Sequence, residues 1–204
     1  MLKNIVFDIG NVLVRWSPND IVATVFNNEA DLTELAQKFF KSPIFYDLNL
    51  GKVTEEEAIQ LYSQELDFPP YIVKDVFKVG KESLTPLEGS FELLEDAYQA
   101  GIPLYSITDN VREIVKHLKE QYSFFDKFKG VVISAEVGIL KPSARIFHHL
   151  IDTYDLIPEE TVFIDDMQAN VEGAQKIGMK GIQFTDAVSC RQELINLGFT
   201  QLDK

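Results

Sequence analysis

Cysteine is almost absent from this chain. Cys190 is the single one, so no intrachain disulfide can form and no thiolate metal cluster can be assembled. A cytoplasmic location suits such a composition. Histidine is scarce too: His117, His148 and His149 are the only three, all on helix-like segments. Neighbouring residues on a helix do not share a face, so His148 and His149 cannot grip one metal together. Positive charge is in short supply, with 19 Lys and Arg against 32 Asp and Glu and a formal net charge of −13. That balance lacks the basic face that nucleic acid or an anionic membrane requires. An anionic substrate would therefore have to be met by local cations or by metal. No apolar run approaches the roughly 18 residues of a membrane span, and the first residues read as a strand rather than a leader. The expectation is a soluble, unprocessed protein with no nucleic-acid or membrane partner. Its oligomeric state is not readable from the sequence.

What is present is enough for a core: 204 residues, 46% of them hydrophobic, fit one globular domain carrying a sizeable insertion. Five short apolar runs read as strands: residues 4–8, 102–108, 131–134, 161–165 and 181–184. Helix-like segments separate the later ones, two of them stopping at Gly101 and Gly178. Strands that are apolar throughout and alternate with helices indicate an α/β fold, a Rossmann-like, doubly wound parallel sheet covered on both faces. Ligands in such sheets bind beyond the carboxyl ends of the strands. The alternation fails between Trp16 and Leu84, where four helical segments follow one another. Asp31 with Glu34 and Thr54 with Glu57 match the capping-box pattern. This block is too long for a simple crossover. It reads as a helical cap, residues 16–84, inserted into an α/β core of residues 1–15 and 85–204. The stretch SPIFYDLNLGKVT reads as the most loop-like part of the cap.

Polar residues of matching type stand at the strand ends. Asp8 ends the first, Thr108 and Asp109 the second, and Asp165 and Asp166 the fourth with Asn170 shortly after; Lys141 opens the helix that follows the third. Taken singly, each has an ordinary explanation. Asp8 serves as readily as a turn or N-cap residue, Thr108 as a capping hydroxyl, and Lys141 as a solvated surface lysine. The pair Asp165 and Asp166 is harder to dismiss, because adjacent carboxylates at a buried strand end repel unless a cation offsets them. A parallel sheet would bring all of these ends to one crevice.

The four segments FDIGNVL, SITDN, ILKP and FIDDMQAN resemble the four ordered motifs of the haloacid dehalogenase superfamily, specifically its phosphatases with a helical cap after the first motif. Among these the chain is most similar to bacterial enzymes of the α-D-glucose-1-phosphate phosphatase type. The resemblance covers nearly the whole chain. It implies a Mg2+-dependent phosphomonoesterase acting on a small phosphorylated metabolite through an aspartyl phosphate on Asp8. Mg2+ would be held by Asp8, the Gly10 carbonyl and Asp166, with Asp165 a direct or water-mediated helper. Lys141 would balance charge on Asp8 and the phosphoryl oxygens. Thr108 and the backbone amides near Asn11 and Asp109 would hold those oxygens, and Asn170 would orient the Asp166 end.

Two positions depart from the family pattern. Gly10 stands where most of these phosphatases carry a second aspartate that protonates the leaving group, help typically worth about 10²- to 10⁴-fold. A substrate whose leaving group needs little protonation fits this loss: a sugar phosphate such as a sugar 1-phosphate, an acyl phosphate or an aryl phosphate. Asp109 stands where asparagine is common, and its carboxylate is expected to turn toward a backbone partner. In the cap, Trp16, Phe45 and Tyr46 are candidates for substrate selection, with ordinary packing the competing reading. Arg112 reads as a surface residue within reach of an anion. The alternatives to a phosphatase are a metal-independent 2-haloacid dehalogenase-like hydrolase, or a non-catalytic binding or regulatory protein that kept the fold.

Overall fold

The computed structural model describes residues 1–27 and 31–203. Five parallel strands, β1 (Asn4–Phe7), β2 (Leu104–Thr108), β3 (Gly130–Ile133), β4 (Thr161–Asp165) and β5 (Lys180–Gln183), form one sheet in the order β3-β2-β1-β4-β5. The chain winds outward from β1 in both directions, so the crevice lies where β1 meets its two neighbours. Alternate residues feed opposite faces. Ile5 and Phe7 of β1 and Val162 and Ile164 of β4 join one apolar cluster, whereas Val6 and Phe163 join another with Ile146, Phe147 and Leu150. Both faces are thus apolar, which is why these strands lack polar alternation.

Among the described residues, five helices lie between β1 and the rest of the core: α1 (Pro18–Phe26), α2 (Leu32–Phe40), α3 (Pro43–Asn49), α4 (Glu55–Leu66) and α5 (Pro70–Glu82). Thr54 and Glu57 form the reciprocal capping box that starts α4, and Asp31 accepts from Glu34 N at the start of α2. The chain leaves and re-enters this helical block side by side. Arg15 N donates to Thr85 O at 2.8 Å and Leu87 N to Leu13 O at 2.9 Å.

The stretch expected to be a loop contains α3. Its Ser42 accepts from Phe45 N, and Pro43 supplies a preset φ at the first turn. Ser42 Oγ is itself held 2.6 Å from Tyr62 Oη on α4. The helix is only seven residues long, too short for an apolar period to declare itself. The remaining helices are α6 (Ser90–Gln99), α7 (Arg112–Gln121), the short α8 (Ser134–Val137), α9 (Ala144–Thr153), α10 (Gln168–Lys176) and α11 (Ala187–Asn196). Lys141 lies in the turn before α9 rather than opening it, the N-cap being Ser143. No described helix is long and apolar enough to cross a membrane.

Candidate active site

Asp8 follows β1 directly, anchored by its N–H to Ile164 O at 2.9 Å, and is 7% exposed. One carboxylate oxygen accepts from Ile9 N at 2.7 Å. The other faces Lys141 Nζ at 2.9 Å. Lys141 is buried as well, and its ammonium also contacts Asp165 Oδ2 at 2.7 Å and lies 5.5 Å from the Phe163 ring centroid. One lysine therefore sits between two carboxylates in an apolar setting. Ligand atoms of Asp8, Asp165 and Asp166 lie within 4.8 Å of one another.

Burial pushes the Asp8 carboxyl up to about 8, against the lowering pull of Lys141. Asp166 is raised by its own burial and by the nearby Asp165 charge. Burial opposes the Lys141 charge, yet Asp8, Asp165 and Asp109 together hold its ammonium above the ordinary lysine range. The cluster carries more negative charge than one lysine offsets.

Asp165 is fully buried and saturated. Its oxygens accept from Met167 N at 2.8 Å, from Asn170 Nδ2 at 3.0 and 3.1 Å, and from Lys141. Asn170 therefore orients Asp165, whereas the sequence reading attached it to Asp166. The partner of Asp166 is Asn11, whose Nδ2 lies 3.4 Å from Oδ2. Asn11 has a left-handed φ of 53°, a conformation asparagine tolerates. Its Oδ1 accepts from Trp16 N at 2.9 Å, and its own N–H donates to Val14 O at 2.7 Å. That N–H is engaged within the loop, and the side chain bridges Trp16 N and Asp166.

Asp109 accepts from Lys141 N through both oxygens at 3.1 Å, and burial raises its pKa to about 6. Thr108 is buried at the end of β2 and is not among the residues lining the cavity. A cavity of about 260 Å³ is lined by Asp8, Gly10, Asn11, Asp109, Lys141, Asp166 and Asn170, by the amides of Asn49 and Asn110, and by the apolar side chains of Val14, Trp16, Phe45, Leu84, Ile114 and Met167. Tyr46 is 56% exposed and lines a neighbouring surface recess instead. Arg112 donates to Gly51 O and Ala135 O, so it ties the turn after α3 to the core rather than facing an anion.

Val14, Asn49, Leu84, Asn110, Ile114 and Met167 line the cavity without having been singled out from the sequence. Met167 and Asn110 lie within FIDDMQAN and SITDN, a signal that could have found them. Asn49 carries no such signal, because it arrives only through the docking of α3. His148 and His149 are exposed, and Cys190 is buried with its thiol pushed up to about 12 by burial; none of the three reaches the cavity.

The chain matches the family model "haloacid dehalogenase-like hydrolase" over residues 2–178. It is 26% identical over 195 residues to a sesquiterpene phosphatase, astK, of Aspergillus oryzae, covering 96% of each chain. It is 23% identical over 222 residues to D-ribitol-5-phosphate phosphatase of Bacteroides thetaiotaomicron, covering 95% of this chain and 97% of that one. Among solved structures, a haloacid dehalogenase family enzyme of Bacteroides thetaiotaomicron in complex with magnesium and inorganic phosphate superposes with a TM-score of 0.76 at 18% identity, covering 91% of this chain and 95% of that one. An L-2-haloacid dehalogenase of Xanthobacter autotrophicus superposes at 0.67 and 15% identity, covering 98% and 84%. With the motif residues gathered at one crevice and the family model spanning most of its length, the chain belongs to the haloacid dehalogenase-like hydrolases.

Proposed function

We propose that this hydrolase is a Mg2+-dependent phosphomonoesterase that acts on a small phosphorylated metabolite through an aspartyl phosphate on Asp8. The observation that carries the reading is the buried Asp8 carboxylate, 2.9 Å from Lys141 Nζ and clustered with Asp165 and Asp166. An Asp8 oxygen bonds to phosphorus as the bond from phosphorus to the leaving oxygen breaks, and that oxygen takes its proton from water. A second water then attacks phosphorus, the Asp8 oxygen is released, and inorganic phosphate departs. Lys141 offsets charge on Asp8 and on the phosphoryl oxygens as it spreads in the transition state. Asp165 and Asn170 keep the ammonium in position. The loop after β2 reaches the cavity through Asp109 and Asn110, while Thr108 stays buried outside its lining.

The donor set fits a hard divalent cation, since only oxygen ligands converge there and the raised Asp8 and Asp166 carboxyls call for more positive charge than Lys141 provides. Asp8, Asp166 and the Gly10 carbonyl would hold Mg2+, with Asp165 behind them. Held there, it would supply the positive charge that offsets the nucleophile and the phosphate. Relatives named as phosphatases and the magnesium and phosphate complex of a structural neighbour support this assignment. Residues 16–84 serve as a cap that excludes water and selects the organic half of the substrate. With Gly10 in place of an acid, the leaving group is a weakly basic one; a sugar 1-phosphate, an acyl phosphate and an aryl phosphate all satisfy this.

The test is release of inorganic phosphate from acetyl phosphate and p-nitrophenyl phosphate. Turnover should require Mg2+, stop on chelation and vanish in Asp8→Asn. Chelator-insensitive halide release from a 2-haloacid would establish the dehalogenase reading instead, and absence of any turnover would point to a binding protein.

A further inference from the structure

The cavity narrows the substrate further. Resting on the phosphatase reading, we propose that the organic group is neutral, apolar and aromatic, so that the substrate is an aryl phosphate rather than a sugar phosphate or a phosphorylated acid. Three observations converge on this class.

The first is charge. Lys141 is the one cation lining the cavity among the described residues, and it is already shared between Asp8 and Asp165. Arg112, the nearest candidate on α7, is held by two backbone carbonyls. With Lys141 and the Mg2+ of the phosphatase reading taken up by Asp8, Asp166 and the phosphoryl group, a second anionic group on the substrate would face Asp109 with no cation of its own.

The second is hydrogen-bonding capacity. The side-chain amides that line the cavity are partly engaged within the protein, Asn11 at both ends and Asn170, Asn49 and Asn110 at one end each. Asn11 is tied to Trp16 N and Asp166, Asn170 to Asp165, Asn49 Nδ2 to Phe45 O at 2.8 Å, and Asn110 Oδ1 to Val111 N at 3.0 Å. That leaves only the second ends of three amides for the several hydroxyls of a polyol.

The third is the aromatic lining. Trp16 lies nearly parallel to Phe45, 7° between planes at 6.2 Å. Phe40 meets both edge-on at 5.2 and 5.3 Å, and Leu84 and Ile114 complete the surface. A preset aromatic wall suits a flat apolar group. A phenolic oxygen also leaves without a proton, which matches the absence of an acid at Gly10.

The experiment uses the Mg2+-loaded full chain and compares kcat/KM for 1-naphthyl phosphate, glucose 1-phosphate, phosphoglycolate and acetyl phosphate, the last a small activated substrate with no ring. Naphthyl phosphate should exceed glucose 1-phosphate and phosphoglycolate by at least tenfold. Trp16→Ala and Phe45→Ala should each lower the ratio of naphthyl to acetyl phosphate efficiency about tenfold, chiefly through KM. Glucose 1-phosphate or phosphoglycolate matching naphthyl phosphate overturns the proposal while leaving the phosphatase reading intact. An unchanged ratio in both variants does the same. Failure of all four substrates, acetyl phosphate included, overturns the phosphatase reading and this one with it.

Discussion

Gly10 has room for a side chain. A Cβ built there meets no atom within 4 Å, and its backbone lies outside the left-handed region. Nothing steric therefore demands glycine, and the missing acid can be restored. Gly10→Asp is expected to raise kcat for an alkyl phosphate by about 10- to 100-fold, at the lower end of general acid catalysis, and to change an aryl phosphate little. Equal gains on both would sink the argument from the leaving group. Asp109 poses the opposite problem, a carboxylate whose ionisation the fold resists. Its pKa in the fold is about 6 against 3.8 for the free side chain. Between those two values the folded state binds more protons than the unfolded one, so stability falls as pH rises through the interval. Asp109→Asn removes this dependence while keeping an acceptor for Lys141 N. The variant should match the parent below about pH 4 and exceed it by about 1–2 kcal/mol above pH 6, a fraction of the roughly 3 kcal/mol that such a shift represents. Urea unfolding across that range checks it; a pH-independent difference would refute the assignment.

At the scale of elements, the apolar lining of the cavity depends in part on how α3, which carries Phe45, docks. Ser134, fully buried at the start of α8, donates to Asn49 O at 2.8 Å and accepts from Asn110 N at 2.9 Å. One hydroxyl thus joins the end of α3 to the motif-two loop. Arg112 reinforces the same junction at Gly51, where an added Cβ would stand 2.0 Å from Ala135 O and φ is +67°. Ser134→Ala leaves two buried backbone groups without this partner and should cost about 1–3 kcal/mol. It should also raise KM for a substrate with a bulky organic group more than for acetyl phosphate. Stability and KM left unchanged would show that α3 is held by packing alone. This junction was invisible in the sequence for a physical reason. Strands announce themselves by apolar runs, and β1, β2 and β4 were legible because both of their faces are buried. Asp8, Lys141 and Asp165 were legible because parallel topology sends strand ends to one crevice. Ser42 and Pro43 do mark a helix start, yet seven residues are too few for periodicity. Asn49, Leu84 and Ile114 meet only through tertiary packing, which no local pattern encodes.

Across the whole molecule, a charge of −13 means that self-repulsion opposes the compact state, and the active-site cluster concentrates that cost in a buried place. The raised pKa of Asp8, about 8 in the fold against 3.8 free, makes the metal-free protein lose stability as pH rises between those values, because the fold retains a proton that the unfolded chain has released. Mg2+ binding replaces that proton, so its stabilising increment should grow with pH. At a free concentration 100 times Kd the increment is about 2.7 kcal/mol. Thermal unfolding with chelator and with Mg2+ at pH 6 and pH 8 should show the larger rise in Tm at pH 8. General screening of surface charge would also raise Tm, but NaCl at matched ionic strength isolates that contribution. Asp166→Asn separates the two further. It removes one carboxylate whose ionisation burial resists, so the metal-free variant should unfold at higher temperature than the parent, while the excess of Mg2+ over NaCl should disappear. An Asp166→Asn variant that keeps the full Mg2+ increment would place the ion elsewhere on this acidic surface and leave Asp8 without its cation.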